Sequence, residues 1–111
     1  MTHRQKGDEL LAFVSALDSP HRLRIIASLR ESESYVSELA RKLDLSRPLM
    51  HMHLGKLEAA GLVRSRQAFS SDGKALRYFS LVPFEELINA DAIAEAVETL
   101  TSPSQERQAP E

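Results

Sequence analysis

A chain of 111 residues with 42% hydrophobic residues, 27% charged residues and a formal charge of −2 has the size and balance of one globular domain with a modest core. It contains no cysteine, which excludes a disulfide framework, a thiolate metal site and a thiol nucleophile. No apolar run is long enough to span a membrane, and the start MTHRQKGDEL lacks the apolar stretch of an export signal, so a cytoplasmic protein without membrane contact is expected.

Residues 1–7 read as a flexible polar lead, 8–100 as the folded domain, and the polar, proline-containing 101–111 as a disordered tail. From Asp8 to Leu17, Leu10, Phe13, Val14 and Leu17 recur at helical spacing, and Leu11 widens the stripe. Ser19 followed by Pro20 is a helix start, a cap and then a proline whose missing N–H costs nothing there. The helix it opens runs to about Arg30 and carries Leu23, Ile26 and Leu29 inward, with Ile25 and Ala27 beside them. Ser32 to Ser34 form a loop, and Tyr35-Val36 a short extended lead into the next element.

The stretch Val36–Gly61, VSELARKLDLSRPLMHMHLGKLEAAG, reads as two helices joined by a tight turn. Ser37 is the cap candidate for the first, which sets Leu39, Ala40 and Leu43 on one face. Asp44 can take the left-handed conformation that ends it, and Leu45 packs inward from the turn. In the second helix Met50, Leu54 and Leu57 form one apolar stripe at i, i+4 and i+7, and Gly61 suits the position just past its end. Pro48 leaves two starts open: Ser46 as cap with Pro48 in the first turn, or a helix beginning at Pro48. Either way Arg47 stands at the positive end of the helix, where a phosphate or a base edge would approach. A helix, a short turn and a second helix with polar residues on its outer face are the pattern of a DNA-reading helix-turn-helix.

After Gly61 the period changes to two. Leu62–Phe69 and Lys74–Leu81 are extended runs around Ser70-Ser71-Asp72-Gly73, a hairpin turn signal, with Arg64 and Arg66 on one face of the first strand. A hairpin directly after a reading helix is a wing. Pro83 ends the second strand, and Phe84 to Leu100 reads as a last helix with Phe84, Leu87, Ile88, Ile93, Val97 and Leu100 apolar and Glu85-Glu86 as its acidic first turn. The whole is mainly α with a small β-hairpin wing.

The net charge is unevenly spread. Arg41 to Tyr78 holds eight of the fourteen basic residues and three of the sixteen acidic ones, a local charge of +5, which leaves −7 on the rest. Attraction to phosphate depends on that local potential. The candidate DNA face is therefore Ser46, Arg47, Pro48, Leu49, His51, Met52 and Lys56 on the helix, with Arg64, Arg66, Lys74 and Arg77 on the hairpin. A solvated basic face is the plainer alternative. The first helix, with Leu10, Leu11, Phe13, Val14 and Leu17, and the last, with Ile93, Val97 and Leu100, present more apolar surface than so short a chain can cover. A homodimer interface would bury it.

No nucleophile elbow, phosphate loop or HExxH word accompanies these patterns, so neither catalysis nor a cofactor is expected. The histidines are dispersed. His51 and His53 point to different sides of one helix and cannot share an ion, His53 lying nearer the apolar stripe as a packing or hydrogen-bonding residue. His21 sits at a helix start and His3 in the polar lead.

The words Ala16-Leu-Asp-Ser-Pro-His-Arg-Leu-Arg-Ile25, Val36-Ser-Glu-Leu-Ala40 and His53-Leu-Gly-Lys-Leu-Glu-Ala-Ala-Gly-Leu-Val63, in this order and spacing, resemble the ArsR/SmtB family of winged-helix regulators over roughly residues 10–82. The resemblance implies a winged helix-turn-helix that dimerises through its first and last helices, binds double-stranded operator DNA and represses. Two departures are informative. Pro48, Leu49 and Met52 stand where small polar or charged residues are common, which favours apolar contacts such as those with a thymine methyl. Tyr35-Val36-Ser37 stands where the family often has Cys-Val-Cys, and the last helix has no histidine, so no metal response is expected. The signal is then a small organic ligand, a protein partner or the protein's own abundance. The competing reading is a winged-helix module that binds another protein through the apolar patch of Pro48, Leu49 and Met52 and does not bind DNA.

Overall fold

The computed structural model describes residues 6–101, in the order α1 Gly7–Leu17, α2 Pro20–Glu31, β1 Ser34–Tyr35, α3 Val36–Leu43, α4 Arg47–Ala59, β2 Val63–Phe69, β3 Ala75–Leu81 and α5 Ala90–Val97. His3 and most of the two expected loose ends lie outside the described residues. Residues 16–83 make one compact unit, and the flanking segments up to Ser15 and from Phe84 make another.

In the central unit the core is Ile25, Leu29, Leu39, Met50, Leu54, Leu57, Leu62, Val63 and Phe79, each no more than 4% exposed. The start of α2 is as expected: the Ser19 hydroxyl accepts from the Arg22 N–H at 3.3 Å and a proline occupies the first turn. Its inward face is not the expected one. Arg22, Ile25 and Leu29 are buried, whereas Leu23 is 52% exposed. The helix is rolled toward Arg22 because that guanidinium has partners inside: Nε donates to the Ala16 carbonyl at 2.7 Å and Nη1 meets His53 Nδ1 at 3.0 Å.

Ser37 does not cap α3. Ser34 and Tyr35 pair with Phe79 and Tyr78 in an antiparallel bridge, which holds the backbone extended as far as Tyr35, so the helix begins at Val36 with no side-chain cap. The expected left-handed residue is there: Asp44 has φ 55°, and the N–H groups of Asp44 and Leu45 both reach the Ala40 carbonyl. Of the two starts open for α4, the structure takes the first. The Ser46 hydroxyl accepts from Leu49 N–H at 3.3 Å, Arg47 is the first helical residue and Pro48 lies in the first turn, where the absent N–H would have had no helical partner. At the other end Gly61 takes φ 77°, so that its N–H reaches Glu58 and that of Leu62 reaches Leu57.

The hairpin pairs Val63 with Leu81 through Phe69 with Ala75, and β1 adds to the free edge of β3, giving a sheet of order β1-β3-β2. Ser70 and Gly73 close the turn by backbone bonds to Lys74 and Ser70.

The flanking unit pairs the beginning of α1 with α5. The last helix is much shorter than the pattern predicts, Ala90–Val97 in place of Phe84–Leu100. Asn89 is the reason for its start, accepting from Ala92 N–H at 2.8 Å, so Asp91 and not the Glu85-Glu86 pair supplies the acidic first turn. Before it, Phe84 stands edge-on to Phe13 at 5.4 Å between ring centroids. Phe13 is thereby buried, at 4% exposure, and drops out of the expected dimer surface. Leu11, Val14, Ile93 and Val97 keep 37–57% of their surface exposed.

Gly7 belongs to α1 and is buried: its N–H donates to Thr99 Oγ1 at 2.9 Å, and neighbouring Asp8 accepts from Thr101 N–H at 3.1 Å. A Cβ on Gly7 would come within 2.5 Å of the Ala96 carbonyl oxygen and 2.8 Å of Leu100 Cα, both backbone atoms. Gly7→Ala is therefore expected to lower stability by about 1–3 kcal/mol, the cost of overpacking. Gly55→Ala on α4, where a Cβ meets nothing within 4 Å, should raise it by roughly 0.5–1 kcal/mol through helix propensity. Chemical denaturation of the two variants checks the opposite signs; equal shifts would contradict the packing described for Gly7.

Candidate nucleic-acid interface

The geometry of α4 follows from its buried stripe. Met50, Leu54 and Leu57 are at most 1% exposed, and this leaves Arg47, Pro48, Leu49, His51, Met52 and Lys56 on the outer side, all exposed, with the cap residue Ser46 exposed before them. Leu49 and Met52 are 45% and 42% exposed, an apolar element on an otherwise cationic face. On the hairpin Arg64, Arg66, Lys74 and Arg77 are exposed as well. Arg47, Lys56, Arg64, Lys74 and Arg77 make no side-chain ion pair among the described residues.

Arg66 differs from the other candidates. Its Nε donates to Glu33 Oε2 at 3.2 Å and its Nη2 to Glu33 Oε1, while its guanidinium carbon lies 4.9 Å over the Tyr78 ring. Tyr78 in turn stands edge-on to Tyr35 at 5.5 Å. The bidentate pair holds the Glu33 carboxyl below its ordinary value and the Arg66 guanidinium above its own. The expected free cation at 66 is thus a tie between the α2–β1 loop and strand β2, and its charge is already matched. Sequence reading missed Glu33, thirty-three positions away, because no local pattern links the two.

One end of the face is concave. Tyr35, Val36 and Ser37 at the start of α3, Arg47 and His51 on α4, and Ala75, Leu76 and Arg77 on β3 surround a cleft of ≈200 Å³. Behind the face, His53 is buried on the inner side of α4 and accepts at Nδ1 from Arg22, with the His21 ring 5.4 Å away. Burial first, then the charges of Arg22, His21 and Lys56, hold the His53 pKa below the ordinary 6.5, so the ring is neutral at neutral pH. Among the described residues no three His, Asp or Glu side chains converge as a metal site would require.

Comparison with known proteins agrees with this architecture. Residues 19–65 match the family described as "Bacterial regulatory protein, arsR family". The chain is 35% identical over 83 residues to an uncharacterised HTH-type transcriptional regulator of Methanocaldococcus jannaschii, an alignment covering 75% of this chain and 86% of that protein. It is 33% identical to the biofilm growth-associated repressor of Agrobacterium fabrum over 57% of its own length, and spans about half, 54%, of that relative. Among solved structures, the homodimeric winged helix-turn-helix DNA-binding domain from Mycobacterium bovis superposes with a TM-score of 0.61 at 20% identity, covering 82% of this chain and 74% of that one. This last likeness concerns the fold.

The His53 environment yields a pH dependence whose sign can be worked out. The unfolded chain takes up a proton at this ring near 6.5 while the folded chain resists it. The ring's contribution to stability is therefore present above 6.5 and is lost as pH falls below that value toward the lowered folded pKa. His53→Asn keeps an acceptor facing Arg22 but cannot be protonated. Its melting midpoint should change less than the wild type's between roughly pH 7 and pH 5.5, a window above most carboxylate titration. Parallel curves for the two proteins would remove His53 from the account.

Proposed function

The chain belongs to the arsR family of bacterial regulatory proteins, and from that membership we propose that it is a homodimeric, sequence-specific DNA-binding transcriptional regulator that represses from its operator. The observation that carries the reading is the cationic face shared by α4 and the hairpin, with Arg47, Lys56, Arg64, Lys74 and Arg77 exposed beside Leu49 and Met52 and in no ion pair among the described residues. The cations hold phosphates and fix register, and the apolar pair suits thymine methyl groups in the major groove. Repression accords with the name of the Agrobacterium fabrum relative. Work on chromosomal DNA implies the cytoplasm, and no helix among the described residues is long and apolar enough to cross a membrane.

The dimer part of the reading is supported by the flanking unit. Leu11, Ile93 and Val97 lie exposed around a hollow of ≈90 Å³ lined also by Gly7, Leu10, Ala96 and Leu100, and Val14 is exposed on the same helix as Leu11. A second copy would take this apolar surface out of water at about 25 cal/mol per Å². The two copies would then present two reading helices to half-sites about one DNA turn apart. With no cysteine in the chain, the reading includes no metal signal. The release signal is a small organic ligand, a protein partner or the protein's abundance.

Titrating purified protein onto its own promoter fragment should give binding that weakens steeply with salt. Arg64→Ala should weaken all sequences alike and reduce the steepness of the log–log salt plot by about 1. Adding zinc to the same titration should leave the affinity where it was. Salt-independent binding, or none to any genomic fragment, would favour the protein-binding module. In sedimentation the wild type should run as a dimer at micromolar concentration, and Leu11→Asp with Val97→Asp should shift it to monomer. A stable wild-type monomer would defeat the dimer.

A further inference from the structure

We propose that the cleft between the start of α3, the first two turns of α4 and strand β3 is a seat for a single phosphate-type oxyanion, gripped jointly by Arg47 and Arg77. Three elements bring positive potential to this one concavity. From α4 come Arg47, the first helical residue, and His51 four positions on, which stacks on the same face one turn away. From β3 comes Arg77, exposed beside them. From α3 comes the helix start itself, where Tyr35 contributes no side-chain cap and Tyr35, Val36 and Ser37 line the cleft, so the positive end of the helix lies at its wall.

Among the described residues no carboxylate pairs with Arg47 or Arg77. None of the residues that line the cleft is acidic. Glu38, in the first turn of α3, does not line it and accepts instead from the Ser34 hydroxyl. Arg47, His51 and Arg77 form no hydrogen bond or ion pair through their side chains with any described residue. Arg66 makes the contrast plain: a hairpin guanidinium within reach of a carboxylate is tied down, and the two at the cleft have none among the described residues. Water's share of liquid volume is about 30 Å³ per molecule, so ≈200 Å³ has room for a phosphate group with some of its water.

The consequence is a division of labour on the DNA face. An oxyanion in this cleft touches the reading helix and the wing's second strand together. Arg47 and Arg77 are then positioning residues that set the register of α4, and sequence discrimination falls to the outer residues of the helix. In DNA the oxyanion is one backbone phosphate, and in that arm the proposal rests on the regulator reading above; a free phosphate-bearing molecule has the same chemistry and would occupy the same seat in competition with DNA.

Two measurements on the full chain test this and separate the sources. In the first, inorganic phosphate is titrated into the DNA-free protein at constant ionic strength while the His51 ring resonances are followed by NMR. The His51 signals should move and saturate, and the Arg47→Gln/Arg77→Gln double variant, checked for an unchanged fold by its remaining resonances, should abolish the movement. Uniform, unsaturable drift across the spectrum would overturn the seat. In the second, the salt dependence of binding to a promoter duplex is compared for Arg47→Gln, Arg77→Gln and the double variant. Each neutralised phosphate contributes about 0.9 to the slope. A shared phosphate predicts little loss of slope in either single variant and a loss of about 0.9 in the double. A loss of about 0.9 in each single variant and twice that in the double would mean separate phosphates, overturning the shared grip while leaving DNA binding intact. If the wild type binds no duplex but the phosphate titration saturates, the regulator reading fails and the seat stands with a free anion as its ligand.

Discussion

Burial of Met50, Leu54 and Leu57 is the contact on which the central unit depends. These three side chains, at most 1% exposed, press α4 against α2, α3 and β2. Each full burial of this kind is worth about 1.5–3 kcal/mol, so the stripe fixes the rotation of the helix about its own axis. Everything the outer face presents follows from that rotation. Arg47, His51, Met52 and Lys56 are exposed because Met50, His53, Leu54 and Leu57 take the inner side. A helix turned by one residue would bury His51 in one direction, or Leu49 and Lys56 in the other, and disturb the cationic edge.

The inner side of the same helix carries a polar contact that packing alone would not require. Arg22 is buried at 7% exposure and His53 at 6%, and a buried guanidinium is costly unless its donors are met. Here Nε has the Ala16 carbonyl and Nη1 has the imidazole, so the pair ties the end of α1 and the start of α2 to the reading helix by directional bonds. Directionality is what apolar contact lacks. The arrangement needs a neutral His53, and burial together with three nearby cationic or basic groups keeps it so.

Charge has been sorted in the same way. A net −2 hides a central segment of +5, and the structure spends one of its hairpin cations, Arg66, on Glu33 while leaving Arg64 and Arg77 without an ion pair among the described residues. An exposed ion pair contributes little to stability, about 0–1 kcal/mol. Its larger effect is geometric: with Tyr78 under the guanidinium and Tyr35 against Tyr78, it holds the α2–β1 loop to the hairpin. The wing's base is thereby set relative to the start of α3, which forms one wall of the cleft.

What could be read from the sequence was what a few consecutive residues decide. The cap at Ser19, the left-handed Asp44, the positive-φ Gly61, the stripe on α4 and the hairpin around Asp72-Gly73 are local conformational preferences, and each stands where the pattern put it, while Ser46 as cap was one of two starts the pattern left open. Misreadings arose where a distant partner outweighed local preference. Ser37 lost the cap because β1 pairs with β3; Leu23 faces out because Arg22 has partners inside; the helix expected from Phe84 begins only after Asn89, with Phe84 turned to Phe13. The site divides along the same line. The sequence by itself determined which residues of α4 and the hairpin are cationic and outward, because helical and strand periods are properties of the chain. Only the tertiary structure decided that Arg66 is matched by Glu33 and that Arg47 and His51 meet Arg77 at one cleft, because those relations join residues more than twenty-five positions apart and no local rule measures the distance between them.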